Sequence, residues 1–261
     1  MLGSGIGPVI GGFTAQYFGY QAPFFIYAIL ASIVGLWMYF RLPDPRRNGS
    51  PSKAGRKARP GFLKSMHQML GRRGVVLASM IGFLAAYTRV GTRNMAIPLQ
   101  GDALGFSEGQ IGVVLSILFI MTFVALYFVG NVADRFGRKA VIVPSWLVVA
   151  GSLVIIAFAP GYGIYVLGAT VFGFAGGIGG PIPAAYVADA ADEESQGMAI
   201  GVFRTFSDFG LVVGPLVMGW IIDQSGVTAG LLVNAIIVVI VALAFWFFAP
   251  EPHVQKQPAS A

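Results

Sequence analysis

Eight apolar stretches, each close to the length that crosses a lipid bilayer, dominate the sequence. A helix needs ~20 apolar residues to span the ~30 Å of membrane hydrocarbon. Hydrophobic residues make up 56% of the chain and charged residues 11%, so one soluble core could not bury the apolar surface. The sequence therefore predicts an all-α integral membrane protein with eight transmembrane helices. These are residues 2–18, 22–40, 74–97, 109–130, 140–159, 163–188, 197–222 and 229–249.

Short polar breaks between most of these stretches are typical of turns between antiparallel helices. The stretches lack the alternation of polar and apolar residues that a lipid-facing β-barrel strand requires. In the break before 109–130, Ser107 and Gln110 predict a capping box at the start of the fourth helix.

Positive charge is concentrated on one side of the predicted topology. Fourteen of the 17 lysines and arginines lie in 41–73, in 131–139 or at Lys256, and the opposite loops contain none. The positive-inside rule places both termini and the basic loops in the cytoplasm. The charge thus indicates orientation, and without an aromatic-interleaved basic surface we expect no nucleic-acid partner.

Composition also predicts the domain boundaries. Residues 43–61 are rich in Pro, Gly, Ser and positive charge, which is typical of a linker. We therefore expect two helices in 1–42, a basic linker ending in a short interfacial helix in 43–73, a six-helix bundle in 74–250 and a tail in 251–261.

The two ends of the chain repeat one another. With an offset of 207, "GPVIGGFTAQYFG" at Gly7–Gly19 aligns with "GPLVMGWIIDQSG" at Gly214–Gly226. Many transporter folds consist of such repeats, with the binding site between them. Because Met1 aligns with Asp208, well inside the seventh stretch, we expect a shortened first helix and four further helices before it.

Two motifs resemble those of the major facilitator superfamily. "GNVADRFGRK" at Gly130–Lys139 resembles its loop motif G-x-x-x-D-R-x-G-R-K, and "GSGIGPVIGG" at Gly3–Gly12 resembles the helix motif of its drug:proton antiporter branch. The resemblance implies a complete C-terminal six-helix half plus the last two helices of the N-terminal half. It also implies alternating-access transport in the plasma (inner) membrane, as efflux of drugs or metabolites in exchange for protons. The alternative is a truncated, non-transporting fragment, or one that needs a partner for four missing helices.

The loop motif permits two interpretations. In the first, its positive charges only fix the topology. In the second, which the resemblance implies, Asp134 and the arginines also form a conformational latch. We expect the acidic group beginning at Asp189 to be solvated or to pair with the basic loop 135–139. The motif residues are Gly130, Asp134, Arg135, Gly137, Arg138 and Lys139.

The helix motif lets neighbouring backbones approach closely, and a dedicated gating role stays equally open. Its first copy comprises Gly3, Gly7, Pro8, Gly11 and Gly12, and its weaker second copy comprises Gly214, Pro215 and Gly219.

Charged residues inside the apolar stretches indicate the functional site. Arg89 and Arg93, with Tyr87 and Asn94, are candidates for lining a substrate path, although Arg93 could instead extend to the outer surface. Arg204 and Asp208 are four residues apart, so they could form a proton site or a permanent ion pair.

The sequence contains no pattern typical of an enzyme. It lacks cysteine, and it shows no metal cluster, Ser/His/Asp set or phosphate-binding loop, so we expect neither a cofactor nor a metal. The expected partners are a small-molecule substrate, the lipid bilayer and, as a candidate coupling ion, the proton.

Overall fold

The computed structural model describes residues 21–41, 66, 69–191 and 195–250, with the backbone alone at Pro23 and Asp134. The chain divides into two compact units, Met1–Gly61 and Phe62–Ala261. In the first unit, helix α1 (Ala22–Arg41) coincides with the second predicted stretch. Its 20 residues give a length of ~30 Å, which matches the hydrocarbon thickness. The predicted stretch 2–18, the linker 43–61, most of the interfacial helix and the tail lie outside the described residues.

The described part of the second unit consists of helices joined by short connections. Six stretches of the described chain, α1 included, are long and apolar enough to cross a membrane. The all-α prediction is therefore confirmed. In chain order the elements are α2 (Arg73–Tyr87), a π-helical segment (Thr88–Ala96), α3 (Ile97–Ala103), α4 (Glu108–Phe136), α5 (Arg138–Ala157), α6 (Tyr162–Gly179), α7 (Ile182–Asp189) and α8 (Gln196–Phe248).

Helix α8 changes direction at Gly226. Its 53 residues contain one non-helical position, Gly226, with φ 84° and ψ 167°. Such backbone angles are accessible almost exclusively to glycine. We call residues 196–225 the first arm of α8 and residues 227–248 the second arm.

The two arms run in opposite directions along α2. In the first arm, Gly210 packs against Phe83 and Gly214 against Tyr87, so the residue numbers of both helices rise together. Beyond the second arm Pro250 lies against Gly74, whereas Asn234, within that arm, bonds Thr88. The residue numbers there run in opposite senses, so α8 is a helical hairpin. This agrees with the turn predicted between 197–222 and 229–249.

The connections between the other helices are short. The predicted capping box is confirmed, since Gln110 N–H donates to Ser107 Oγ and Ser107 N–H donates to the Gln110 side chain. Helix α4 extends to Phe136, six residues past its predicted end at 130, because "NVADRF" contains no helix-breaking residue. The predicted break 131–139 therefore reduces to Gly137, whose φ of 88° ends one helix and begins the next.

Glycines of α6 allow α4 to approach very closely. A Cβ at Gly173 would overlap the backbone of Leu118, and one at Gly177 would lie 2.6 Å from the Thr122 carbonyl oxygen. The Thr122 hydroxyl also donates to the Gly173 carbonyl oxygen at 3.0 Å. Gly176, in the same helix, faces open space in the described part of the chain.

Candidate substrate path and loop motif

A nine-residue π-helix, Thr88–Ala96, joins α2 to α3. We call it the π-segment. In a π-helix each N–H bonds the carbonyl five residues earlier, an arrangement that is rare and often found at functional sites. Three predicted substrate-path residues, Arg89, Arg93 and Asn94, lie in this segment. The helix is thus irregular where the sequence predicted the path.

The π-segment has a buried side and an accessible side. Thr88 and Thr92 are 2% and 0% exposed. Arg89 and Asn94 are exposed, and Arg93 is half-buried. The two threonines therefore face the core of the unit, while the two arginines point away from it.

Arg93 connects the π-segment to α4. Its Nε donates to Asn94 Oδ1 at 3.2 Å, and its Cζ lies 4.7 Å from the centroid of the Phe119 ring. This cation–π contact orients the guanidinium group across the gap between the two helices. Among the described residues, no ion pair with a carboxylate is recorded for Arg89 or Arg93.

Tyr87 lies on the other side of the helix. Its side chain is 3% exposed, and it stacks on Phe83 with 6.2 Å between the ring centroids. Its hydroxyl has no hydrogen-bond partner in the described part of the chain. The structure thus separates Tyr87 from the accessible face that carries Arg89, Arg93 and Asn94.

Arg204 and Asp208 both lie on the exposed side of the first arm of α8. Their spacing allows an ion pair, but none joins their side chains in the described structure. In the described structure the Asp208 carboxylate is therefore not bound by the Arg204 guanidinium group.

The loop motif binds the ends of other helices. Arg138 Nε lies 2.5 Å from Asp189 Oδ2 at the end of α7. Of the two expectations for the acidic group, solvation or pairing with the basic loop, the structure therefore shows the pairing for Asp189. Lys139 Nζ donates to the Ala249 carbonyl oxygen at 2.7 Å, just after α8. A cation beside the last carbonyls of a helix is stabilised by the helix dipole.

The remaining residues of the loop motif are more exposed. Arg135 is exposed and stacks over the neighbouring Phe136 ring at 5.6 Å. Among the described residues, no atom lies within 4 Å of a Cβ added at Gly130 or Gly137, so neither glycine serves close packing there. The backbone of Asp134 is helical, and its side chain lies outside the described structure.

The second copy of the helix motif packs tightly. A Cβ at Gly214 would lie 2.8 Å from the Tyr87 carbonyl oxygen, and one at Gly91 would lie 2.7 Å from the Gly214 carbonyl oxygen. At Gly219 the nearest atom is the methyl carbon of Met95, at 3.4 Å. Pro215 lies inside α8 between these contacts. The first copy, Gly3, Gly7, Pro8, Gly11 and Gly12, lies outside the described residues.

Sequence reasoning missed two residues at this site, Phe119 and Asn234. Nothing in the sequence marks Phe119 among the other aromatic residues of the apolar stretches. Asn234 did carry a signal, because an amide inside a membrane-spanning stretch must find a hydrogen-bond partner. In the described part of the chain, no group of three or more acidic or histidine side chains could hold a metal ion.

Comparison with known families gives a match over the whole chain. Residues 1–92 and 79–261 match the Major Facilitator Superfamily. The chain belongs to this superfamily. It is accordingly a multi-pass membrane protein of a transporter family, and the resemblance inferred from the two motifs is confirmed.

Within the superfamily, the chain is similar to several proteins named multidrug resistance protein MdtG. It is 29% identical to that of Proteus mirabilis over 160 residues, which cover 59% of this chain and 40% of the relative. The Citrobacter koseri protein is 30% identical over 63% of this chain and 41% of its own length. The Dickeya zeae protein is 30% identical over 68% and 41%. The chain therefore aligns with about two-fifths of the length of these relatives.

Proposed function

We propose that this protein exports small amphipathic solutes across the bacterial inner membrane by alternating access, in exchange for protons. The observation that carries the proposal is the π-segment, which presents Arg89 and Arg93 on the accessible side of a membrane-spanning helix. The relatives, named multidrug resistance proteins, support solutes of this kind.

The free-energy cost of an arginine in the membrane indicates that Arg89 and Arg93 line a substrate path and do not face lipid. An arginine at the bilayer centre costs about 2.5–3.5 kcal/mol on insertion scales, and such residues nearly always face a protein interior or a water-filled cavity. Arg89 and Arg93 would bind the polar or anionic group of a solute through their N–H donors. The Phe119 ring beside Arg93 would contact the apolar part of the solute.

Asp208 is our candidate for the proton-binding group. In the described structure Arg204 does not form an ion pair with it. This favours the proton site over the permanent ion pair, the two interpretations that the sequence left open.

The loop motif is our candidate for the conformational latch. Arg138 and Lys139, at the start of α5, bind the ends of α7 and α8 respectively. Asp134, in the last turns of α4, would engage a helix end in one state of the transport cycle. Breaking these contacts would let the helices move relative to one another.

For the topology we propose eight transmembrane helices with both termini in the cytoplasm. If the two arms of α8 cross separately, the unit Phe62–Ala261 supplies a six-helix C-terminal half, and α1 and the predicted stretch 2–18 supply the last two helices of an N-terminal half. Arg72 contributes to the orientation, since Nη1 donates to the Ala190 carbonyl oxygen at 3.3 Å, beside the Arg138–Asp189 pair. Basic residues thus gather at one end of the unit, as the positive-inside rule requires.

The alternative is a chain that does not transport by itself. Alternating access needs two halves that move about a central site, and this chain aligns with 40% of the Proteus mirabilis relative. A fragment that needs a partner for four helices would also fit that coverage.

Dye efflux from bacterial cells that lack their own efflux pumps tests the proposal. The chain is expressed alone and together with the part of the Proteus mirabilis relative that it does not match, and the export of ethidium and of carboxyfluorescein is followed by fluorescence. We expect export that a proton uncoupler abolishes and that Arg89→Ala/Arg93→Ala reduces at equal membrane abundance. Export in the co-expressing cells alone would establish the alternative. No export in either strain, with the chain inserted in the membrane, would refute the proposed transport.

A further inference from the structure

One buried amide holds the π-segment from its inner side. Asn234, in the second arm of α8, is 0% exposed. Its Nδ2 donates to Thr92 Oγ1 at 2.5 Å and to Thr88 Oγ1 at 3.4 Å. The Thr88 hydroxyl group can also donate to Asn234 Oδ1, at 3.4 Å. The same side chain therefore contacts both buried threonines of the π-segment.

The first arm of α8 holds another side of the same segment. The backbone of Gly91 approaches that of Gly214 so closely that a Cβ at Gly91 would lie 2.7 Å from the Gly214 carbonyl oxygen. The π-segment is thus fixed by both arms of the hairpin, by backbone packing on one and by hydrogen bonds on the other.

A π-helix needs such tertiary contacts. Its i→i+5 bonding is rare, because the α-helix is the more stable alternative for the same residues. If the segment rewound as an α-helix, each turn would contain fewer residues, and the side chains along it would point in new directions. Arg89 and Arg93 each follow directly after one of the bonded threonines, so a rotation of the threonines moves the arginines as well.

We propose that Asn234 is a positioning residue that keeps the π-segment wound as a π-helix and thereby directs Arg93 towards Phe119. Its relevance to transport rests on the proposed function. The position of Arg93 can be measured without transport.

The absence of cysteine from the chain makes a crosslinking experiment direct. Arg93→Cys and Phe119→Cys are introduced into the full chain, and the yield of the crosslink with a short bifunctional methanethiosulfonate is measured in membranes. The network is then removed by Thr88→Val, Thr92→Val and Asn234→Leu together. Since all three groups become apolar, no buried donor or acceptor is left without a partner.

Two matched controls accompany the triple variant. Thr88→Ser with Thr92→Ser keeps both hydroxyl groups. Thr228→Val removes a different hydrogen bond between helices, that of the Thr228 hydroxyl to Gln100 Oε1 at 3.3 Å, outside the π-segment. We expect crosslinking in the background chain and in both controls, and its loss in the triple variant.

Two results would overturn the proposal: equal crosslinking in the triple variant and the background, or no crosslinking in the background. If the triple variant fails to fold in detergent, Thr92→Val alone replaces it. The crosslink yield of this single variant must then be lower than that of the background chain. In the carboxyfluorescein assay, loss of Asn234 should raise KM more than it lowers kcat. Should the chain export no dye, the proposed function fails, while the crosslink still reports the position of Arg93.

Discussion

Arg138 at the start of α5 forms an ion pair with Asp189 at the end of α7, with 2.5 Å between Nε and Oδ2. Their side chains are 22% and 34% exposed, so solvent screens the pair in part. Ion pairs of this kind contribute about 1 kcal/mol or less. The ion pair connects the loop motif to the end of α7, the second helix after α5 along the chain.

Removing one partner of this pair should lower stability slightly. For Arg138→Gln we expect the free energy of unfolding in detergent to fall by about 1 kcal/mol, and the exchange Arg138→Asp/Asp189→Arg to recover part of the loss. Arg135→Gln is the matched control, because Arg135 contacts the adjacent Phe136 ring and forms no ion pair in the described structure. Equal losses for Arg138→Gln and Arg135→Gln would contradict the role of Asp189.

Gly173→Ala should destabilise the packing of α6 on α4. The added Cβ would overlap the Leu118 backbone, which cannot rotate away, and overpacking of this kind costs about 1–3 kcal/mol. Gly176→Ala, three residues further in the same helix, adds its methyl group to open space and should be neutral or slightly stabilising. Thermal unfolding in detergent compares the two variants, and a similar melting temperature for both would refute the close approach.

Gly226→Ala should destabilise the hairpin of α8 for a different reason. No atom of the described residues lies within 4 Å of the added methyl group, but φ 84° and ψ 167° are strained for any residue with a Cβ, at about 1–3 kcal/mol. Gly201→Ala, in the first arm and also in open space, should stabilise the helix by about 0.5–1 kcal/mol. The prediction fails if Gly226→Ala is as stable as Gly201→Ala in urea unfolding followed by circular dichroism.

Arg89→Ala should change dye export without reducing the amount of protein in the membrane. The side chain is exposed and, in the described structure, makes no ion pair, so its loss would remove the proposed solute contact rather than a structural one. Arg89→Lys keeps the charge but not the fork of N–H donors, and we expect intermediate export. A parallel fall in export and abundance, measured by quantitative blotting, would assign Arg89 a folding role.

Asp134→Asn should slow export while preserving the topology. The substitution removes the charge that the proposed latch requires, and it leaves the volume of the side chain nearly unchanged. Export rates and the accessibility of single cysteines at loop positions provide the measurements, and an unaltered rate would exclude the latch.

Much of the fold followed from local composition. The apolar stretches predicted α1, α2, α4, α5, α6 and both arms of α8, because the transfer of a helix into lipid depends on its own ~20 residues. Ser107 and Gln110 predicted their capping box for the same reason, since the two residues lie within one turn. The end of α4 was placed too early, because the basic charges of "NVADRFGRK" suggested a loop although no residue before Gly137 breaks the helix.

The candidate site was predictable in its residue types but not in its geometry. The sequence identified Arg89, Arg93 and Asn94 as unusual in an apolar stretch, since burying their polar groups in lipid costs free energy. The π-segment, the burial of Tyr87 and the contact of Arg93 with Phe119 depend on how α8 and α4 pack against that stretch. Asn234 is more than 140 residues from Thr92 in the chain, and tertiary structure alone brings the two together. The sequence by itself therefore determined which segments are apolar enough to cross a membrane, because that depends on each segment's own residues, whereas packing between distant helices decided which way their side chains point.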